Sequence, residues 1–484
     1  MSSTNSNSFG SAVLISFVGK YLNLILQLTS TVILSRLISP EDYGLFSIAF
    51  IFMATAAIIK EFGVNNYLVK EKTLTPDIIR SAFGILLLLS TITATTLFLS
   101  AYFIADFYNN AELVPILQLL SLNVLMSPFG TIVGSLLKRD LNFKPDVITG
   151  LSGQTLSVIC MIIMALNDFG VYALVYGSLI QTVSQTLIIQ FFRPPNMPRL
   201  PSLKHSREIL SYSKFAGIYG LTSHFGNYAI ELLSGKYFTL ELTGQFNRAM
   251  TTATLFNKIF SDALNPVIMP HISKVNRTGG DVAQHIGFLT KLTLSLAWPF
   301  FMVLGFFAEP IILVLFGEQW LVSAYFLQML CVARILYSIV QLLEPIMMGL
   351  GMAKQLMQIT LITNITNILL CIITLPYGIM AMVASTALLM PLLRIALFMF
   401  VIRSTNFISL RSYIGWLKEP GILLIACCVP LISLNLFYGA MWWQNYYLSV
   451  PAALMSGVIW ATVLFKQKNA QPIIDLVVKK LKRA

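Results

Sequence analysis

Runs of apolar residues, separated by short polar stretches, repeat along the whole chain. A bilayer span needs about 20 mostly apolar residues, and fourteen runs qualify: 12–35, 44–60, 81–104, 113–137, 147–166, 170–191, 213–235, 248–270, 290–314, 322–349, 355–375, 378–402, 420–438 and 446–465. The pattern predicts an all-α polytopic membrane protein with about fourteen transmembrane helices. The first run also carries Lys20, Asn23, Gln27 and Thr31 at helical spacing, so these side chains share one face. A lysine inside such a span costs about 2.5–3.5 kcal/mol on insertion scales and by default faces water, a partner or a ligand. Lys20 is read as facing a central aqueous cavity that receives an anionic cargo.

Three more spans carry polar stripes at three-and-four spacing. Span 7 has Ser223, His224, Asn227, Glu231 and Ser234; span 8 has Thr251, Thr254, Lys258, Ser261, Asp262 and Asn265; span 10 has Arg334, Tyr337, Ser338, Gln341 and Glu344. Arg394 adds a cation in span 12, three residues after Pro391. Each stripe has a plainer reading. Isolated hydroxyls usually pack helices together, Lys258 and Asp262 at i,i+4 can pair as structural glue, and His224 can be a satisfied packing residue. Lys20 and Arg334 have no opposite charge one turn away, which favours a cavity role. His224 with Glu231, and Glu344 and Asp262 beside them, form the candidate ion-coupling set, since histidine titrates near neutrality and intramembrane carboxylates serve relays.

Basic residues are distributed unevenly between the loops. With the N-terminus inside, 25 of the 32 Lys and Arg residues fall in inside loops or span ends and only Arg36, Lys236 and Arg248 outside; the remaining four are Lys20, Lys258, Arg334 and Arg394. By the positive-inside rule both termini are expected in the cytoplasm. This also disposes of the nucleic-acid reading that a net charge of +12 would otherwise invite. The longest polar insert runs from Arg193 to Lys214 and holds Pro194, Pro195, Pro198 and Pro201, which forbid a continuous helix.

A repeat supports a division there. The exit from span 1, SRLISPEDYGLF (35–46), and the exit from span 7, GKYFTLELTGQF (235–246), share base, hydroxyl, Glu, Gly and Phe at one constant offset. A weaker echo places Pro128 six residues before Gly134 and Pro345 six before Gly351. Two echoes at equivalent places favour two six-helix lobes. Because six is even, the lobes are expected to be related by a pseudo-two-fold axis along the membrane normal. The expected organisation is an N-lobe (1–192), an inter-lobe cytoplasmic loop (193–212), a C-lobe (213–403), two additional spans (404–466) and a basic tail (467–484). The tail can form a short helix on the anionic leaflet or serve only as a basic topology signal.

Composition narrows the function classes. The 484 residues are 56% hydrophobic and 11% charged, with a mean hydropathy of +0.78, against about 25% charge in soluble domains. The start, MSSTNSNSFG, lacks the basic and small-residue features of a cleaved leader, so the first span is expected to be retained. Cys160, Cys331, Cys371, Cys427 and Cys428 all lie in apolar runs and form no ligand cluster with histidine, so buried thiols are expected rather than a metal site or disulfides. No GxxxxGK[ST], HExxH or GxSxG stretch occurs. The sequence therefore calls for no cofactor, and transport would draw on an ion or cargo gradient rather than on ATP hydrolysed in this chain.

The stretches SRLISPEDYGLFSIA (35–49), GSLLKRDLNFK (134–144), FNRAM (246–250) and LFGEQWLVSAYFLQML (315–330) resemble the polysaccharide-export flippases (Wzx-like) of the multidrug/oligosaccharidyl-lipid/polysaccharide superfamily, most closely the exopolysaccharide, colanic-acid-type branch. The resemblance covers nearly the whole chain. It implies a bacterial inner-membrane flippase working by alternating access. The implied cargo is an undecaprenyl-pyrophosphate-linked oligosaccharide, with membrane lipids and the polymerase and export machinery as further partners. Related lipid II flippases use basic residues in the first and eighth spans, where Lys20 and Lys258 stand here. The candidate cargo-binding set is then Lys20, Lys258, Arg334 and Arg394 with Asn23, Gln27 and Gln341. Arginine suits phosphate through bidentate hydrogen bonds. Two other readings remain open: an ion-coupled multidrug antiporter of the same superfamily, and a membrane-embedded glycan polymerase or ligase. The first would want an acidic cavity and the second a large periplasmic loop. A lipid II flippase would differ only in cargo.

Overall fold

The computed structural model describes residues 4–466 apart from 62–63, 71–73, 141, 196, 199, 406–407 and 439–445. Nineteen α-helices follow one another: α1 (Thr4–Leu37), α2 (Pro40–Glu61), α3 (Val64–Lys70), α4 (Pro76–Tyr108), α5 (Leu113–Arg139), α6 (Lys144–Leu166), α7 (Val171–Gln190), α8 (Ser206–Asn227), α9 (Ala229–Tyr237), α10 (Leu240–Ala253), α11 (Asp262–Arg277), α12 (Val282–Phe306), α13 (Ala308–Phe316), α14 (Val322–Gln341), α15 (Leu343–Gly349), α16 (Ala353–Thr374), α17 (Ile379–Thr405), α18 (Leu410–Tyr438) and α19 (Tyr446–Lys466). No strand occurs among the described residues. Among the described residues ten helical stretches are long and apolar enough to cross a membrane, and every apolar run of the sequence falls on a helix or a pair of successive helices. The basic tail lies outside the described residues.

Local chemistry sets the helix ends. Thr75 accepts the Ile78 N–H at 3.3 Å and Pro76 opens α4, while Asp281 accepts the Gln284 N–H at 3.1 Å to start α12, both ordinary N-caps. Four apolar runs fold as two pieces each. Pro310 cannot donate to Phe306, and α12 stops there; Pro345 cannot donate to Gln341, and α14 stops there. Each proline removes the i→i−4 bond and crowds that carbonyl. Between α10 and α11 the chain widens into a π-turn at Asn257–Ser261. Pro128, by contrast, stays inside a continuous α5, so the two echoed Pro–Gly pairs differ in what they do.

The chain divides into two compact units, Met1–Asn247 and Arg248–Ala484. In the first, Leu45, Ile48 and Ala49 of α2 pack with α4 and α5 around Leu113, Ile116, Leu117 and Leu120. Residues 213–247 join this unit because α8 and α9 lie along α2. The Tyr108 hydroxyl donates to Leu232 O at 3.1 Å and Asn247 Nδ2 donates to Ser47 Oγ at 3.0 Å. The second unit centres on α14, which packs on α12 and α17, with Val340, Phe398, Ile402 and Tyr413 in its core.

Candidate functional site

The residues singled out from the sequence are divided between the two units. In the first unit, Lys20 stands half-exposed on α1. Its stripe is partly spent on packing: Asn23 Nδ2 donates back to Gly19 O at 3.1 Å and sits against Gly150 of α6. The Thr31 hydroxyl donates to Gln27 O at 2.7 Å, and the Gln27 side chain itself is exposed. His224 is buried on α8 with Nε2 3.1 Å from Ile51 O of α2 and its ring 4.7 Å from that of Tyr228. Glu231 is 1% exposed, and its Oε2 meets no hydrogen-bond donor among the described residues. His224 and Glu231 lie on either side of the helix break at Tyr228.

The same unit holds a cation that the loop tally had counted as a topology signal. Lys60, in the last turn of α2, is only 4% exposed and donates from Nζ to Ser127 Oγ of α5. The Ser127 hydroxyl in turn donates to Val124 O at 2.9 Å. A signal was present: Ala49, Ala56 and Lys60 are all buried on α2, and their seven-and-four spacing runs the buried face through the lysine.

The second group is built around α14. Arg334 points its Nη2 toward Met250 Sδ of α10 at 3.6 Å. One helical turn further along α14 stand Tyr337 and the buried Ser338. Trp298 Nε1 of α12 donates to Ser338 Oγ at 2.9 Å. Gln341 Nε2 donates to Asn257 Oδ1 at 3.0 Å, tying the end of α14 to the π-turn that carries the half-buried Lys258. Arg394 of α17 approaches Glu344 Oε2 through Nη2 at 3.5 Å and lies over the Tyr337 ring at 5.0 Å and the Phe398 ring at 5.8 Å. Thus one helix and its immediate continuation gather Arg334, Gln341, Glu344 and, from neighbours, Arg394 and the Lys258 turn. Short π-turns recur at functional sites. The Asp262 side chain lies outside the described residues. Among the described residues no three metal-ligating side chains come together.

An apolar cavity of about 350 Å³ in the same unit is lined among others by Phe260, Leu296, Phe300, Val303 and Trp460. Phe260 belongs to the same π-turn as Lys258. The α19 wall is pinned where Trp460 Nε1 donates to Ser295 O at 2.9 Å. Lys258 and the cavity-lining Phe260 are thus two residues apart on one π-turn.

The motifs that carried the resemblance hold helix ends together. Asp42 of SPEDYG accepts the Ser39 hydroxyl at 2.7 Å and the Val171 N–H of α7 at 3.2 Å. Arg139 donates to Leu68 O at 2.9 Å. Arg248 of FNRAM is buried with its guanidinium 4.9 Å from the Phe316 ring and 4.4 Å from the Trp320 ring of LFGEQW, and Gly317 between them adopts φ +98°, which favours glycine.

The family model for polysaccharide biosynthesis proteins matches residues 33–325. The chain belongs to that family. It is 24% identical over 334 residues to the succinoglycan biosynthesis transport protein ExoT of Rhizobium meliloti (strain 1021), a match covering 67% of this chain and 66% of that protein. Its fold is similar to that of the lipid II flippase MurJ in an inward closed conformation, with a TM-score of 0.73 at 15% identity over 94% of this chain and 99% of the other. It is also similar to an inward-facing multidrug resistance MATE family transporter of the MOP superfamily, with a TM-score of 0.65 at 15% identity over 82% and 98% of the two chains. The chain is thus a multi-pass membrane protein of polysaccharide biosynthesis with the MurJ/MATE-type fold.

Proposed function

We propose that this protein is a flippase that carries an undecaprenyl-pyrophosphate-linked oligosaccharide from the cytoplasmic to the periplasmic leaflet of the bacterial inner membrane. The observation that carries the reading is the π-turn Asn257–Ser261, which carries Lys258, is tied to α14 through Asn257 and Gln341, and gives Phe260 to an apolar cavity. A lipid-linked glycan has these two needs in one molecule: cations for the pyrophosphate and an apolar channel for the isoprenoid chain. Lys258, Arg334 and Arg394 would hold the head group, Lys20 with Asn23 and Gln27 would line the glycan path, and a stretch of the chain would lie against Phe260, Phe300 and Trp460. A volume of about 350 Å³ is at the lower end of small-ligand pockets, so it suits a segment of the isoprenoid and not the whole. On this reading the last two spans, α18 and α19, are there to wall the lipid chamber.

Lobes at 1–192 and 213–403 would alternate access around the site, with both termini cytoplasmic. Glu231 is the strongest candidate for ion coupling. A buried carboxyl with an oxygen lacking a donor is a natural site for a proton or small cation. Lys60, buried and held only by a hydroxyl among the described contacts, joins the cargo-binding cations as a proposal. The test is reconstitution into vesicles with a fluorescent undecaprenyl-pyrophosphate-linked glycan, following its exposure at the far leaflet. Transport that needs the protein and falls in Lys258→Gln and Arg334→Gln supports the reading. Transport of a cationic drug with no movement of the lipid-linked glycan overturns it in favour of the antiporter.

A further inference from the structure

We propose that Glu344 occupies the phosphate site of Arg394 in the empty carrier and gives it up to the incoming pyrophosphate anion. The inference rests on the flippase reading above and adds how one cation of that site is kept until cargo arrives. Arg394 presents five donors in a rigid fork. A well-made arginine–carboxylate pair closes to about 2.7–2.9 Å, commonly through two parallel bonds. Here the approach is one Nη2···Oε2 distance of 3.5 Å, and Nε is buried with no acceptor among the described residues. The fork is therefore underfilled. A phosphate, with more oxygens and more charge than a carboxylate, can satisfy edges that Glu344 leaves open.

The surroundings suit exchange of partner. Tyr337 and Phe398 lie against the guanidinium, so its plane stays oriented whichever anion it holds. The Glu344 side chain is 33% exposed against 16% for Arg394, so the carboxylate is the more accessible member of the pair. It also stands beside Pro345 in the first turn of a short helix, just past the break that ends α14. A side chain on such a broken junction can swing without unwinding a continuous helix. Without Glu344, the half-buried guanidinium would be left facing the membrane interior with its charge uncompensated, which is costly.

The test compares anion affinity of the full-length protein in nanodiscs, using inorganic pyrophosphate in one arm and undecaprenyl pyrophosphate in the lipid in the other. Glu344→Gln removes the competitor and keeps the shape; about three- to tenfold tighter binding is expected, the size of a partly exposed ion pair. Glu344→Asp, too short to reach, should gain similarly. Arg394→Gln should lose affinity, and the double variant Glu344→Gln/Arg394→Gln should match Arg394→Gln alone, an outcome that a merely structural pair would not give. A gain with both ligands means that the pyrophosphate group suffices; a gain with the lipid alone assigns the anion to the lipid head group. Folded Glu344→Gln and Glu344→Asp proteins with unchanged or weaker binding overturn the inference. If these gains appear while wild-type protein moves no lipid-linked glycan, it is the flippase reading that fails.

Discussion

Gly44 of α2 and Gly244 of α10 rest on each other's backbone. A Cβ added to Gly44 would come 1.9 Å from Leu240 O, and one added to Gly244 would come 1.9 Å from Pro40 O. These are the two echoed glycines of the repeat, and the echoed hydroxyls cap in the same way: Ser39 Oγ takes the Asp42 N–H at 3.1 Å and Thr239 Oγ1 takes the Leu242 N–H at 3.2 Å. The echo in the sequence is thus a reciprocal contact in space, in which each helix start needs a bare Cα opposite the other's carbonyl.

Alanine at either glycine should therefore cost stability, because the obstacle is backbone and cannot rotate away. An overpacked contact costs typically about 1–3 kcal/mol. Once one alanine has pushed the helices apart, the second should cost much less, so Gly44→Ala/Gly244→Ala is expected to be clearly less damaging than the sum of the singles. Thermal unfolding of the purified proteins in one detergent checks this, and additive losses would count against a shared contact.

Lys60 separates charge from packing. Buried ions are often replaced by apolar residues of similar volume at no loss of stability, whereas removing one partner of a buried charge is costly. Lys60→Met is expected to fold at least as well as wild type but to export less polymer. Ser127→Ala, which takes away the hydroxyl that receives Nζ, should lower stability by about 1–3 kcal/mol. Protein level, unfolding midpoint and polymer yield from one set of strains decide it; normal export by Lys60→Met would remove Lys60 from the cargo site.

Arg248 should behave in the opposite way. Its guanidinium is packed between two buried rings rather than presented to a cargo, and a desolvated cation–π contact is worth about 2 kcal/mol or more. Arg248→Lys and Trp320→Leu are expected to unfold at lower temperature, while whatever protein remains folded binds pyrophosphate as wild type does. Unchanged stability with lost anion binding would reverse the assignment.

These contrasts mark what was legible in the sequence. Hydropathy placed the apolar runs on helices, ten of which among the described residues are long and apolar enough to span, and Pro310 and Pro345 sit where a broken helix would be expected. The π-turn at Asn257–Ser261 likewise ends where Pro266 cannot donate to Asp262, whereas the break at Tyr228 carries no such residue. Lys60 was counted only as a topology charge, because a lysine at a span end looks like one unless the buried face is followed past it. The motif Asp42 is visible at once, yet its partner Val171 lies 129 positions along the chain, a distance no local pattern reports. Conversely, Arg334, Glu344 and Arg394 were singled out by the cost of a charge in a membrane, which is a property of single residues, and Gln341 by its place on the same stripe.

The apolar chamber gives a test that leaves every charge in place. Gly457 of α19 lines the cavity, and a Cβ built there meets nothing within 4 Å. Gly457→Leu should therefore be accepted, with a gain of roughly 1 kcal/mol from helix propensity alone and more from filling the void. If the chamber holds part of the isoprenoid, the same substitution should slow movement of an undecaprenyl-linked glycan while binding of inorganic pyrophosphate stays at its wild-type value. A glycan on a much shorter isoprenoid should be less affected, because less chain competes with the new side chain. Equal slowing of long and short carriers, or none for either, would place the lipid tail elsewhere.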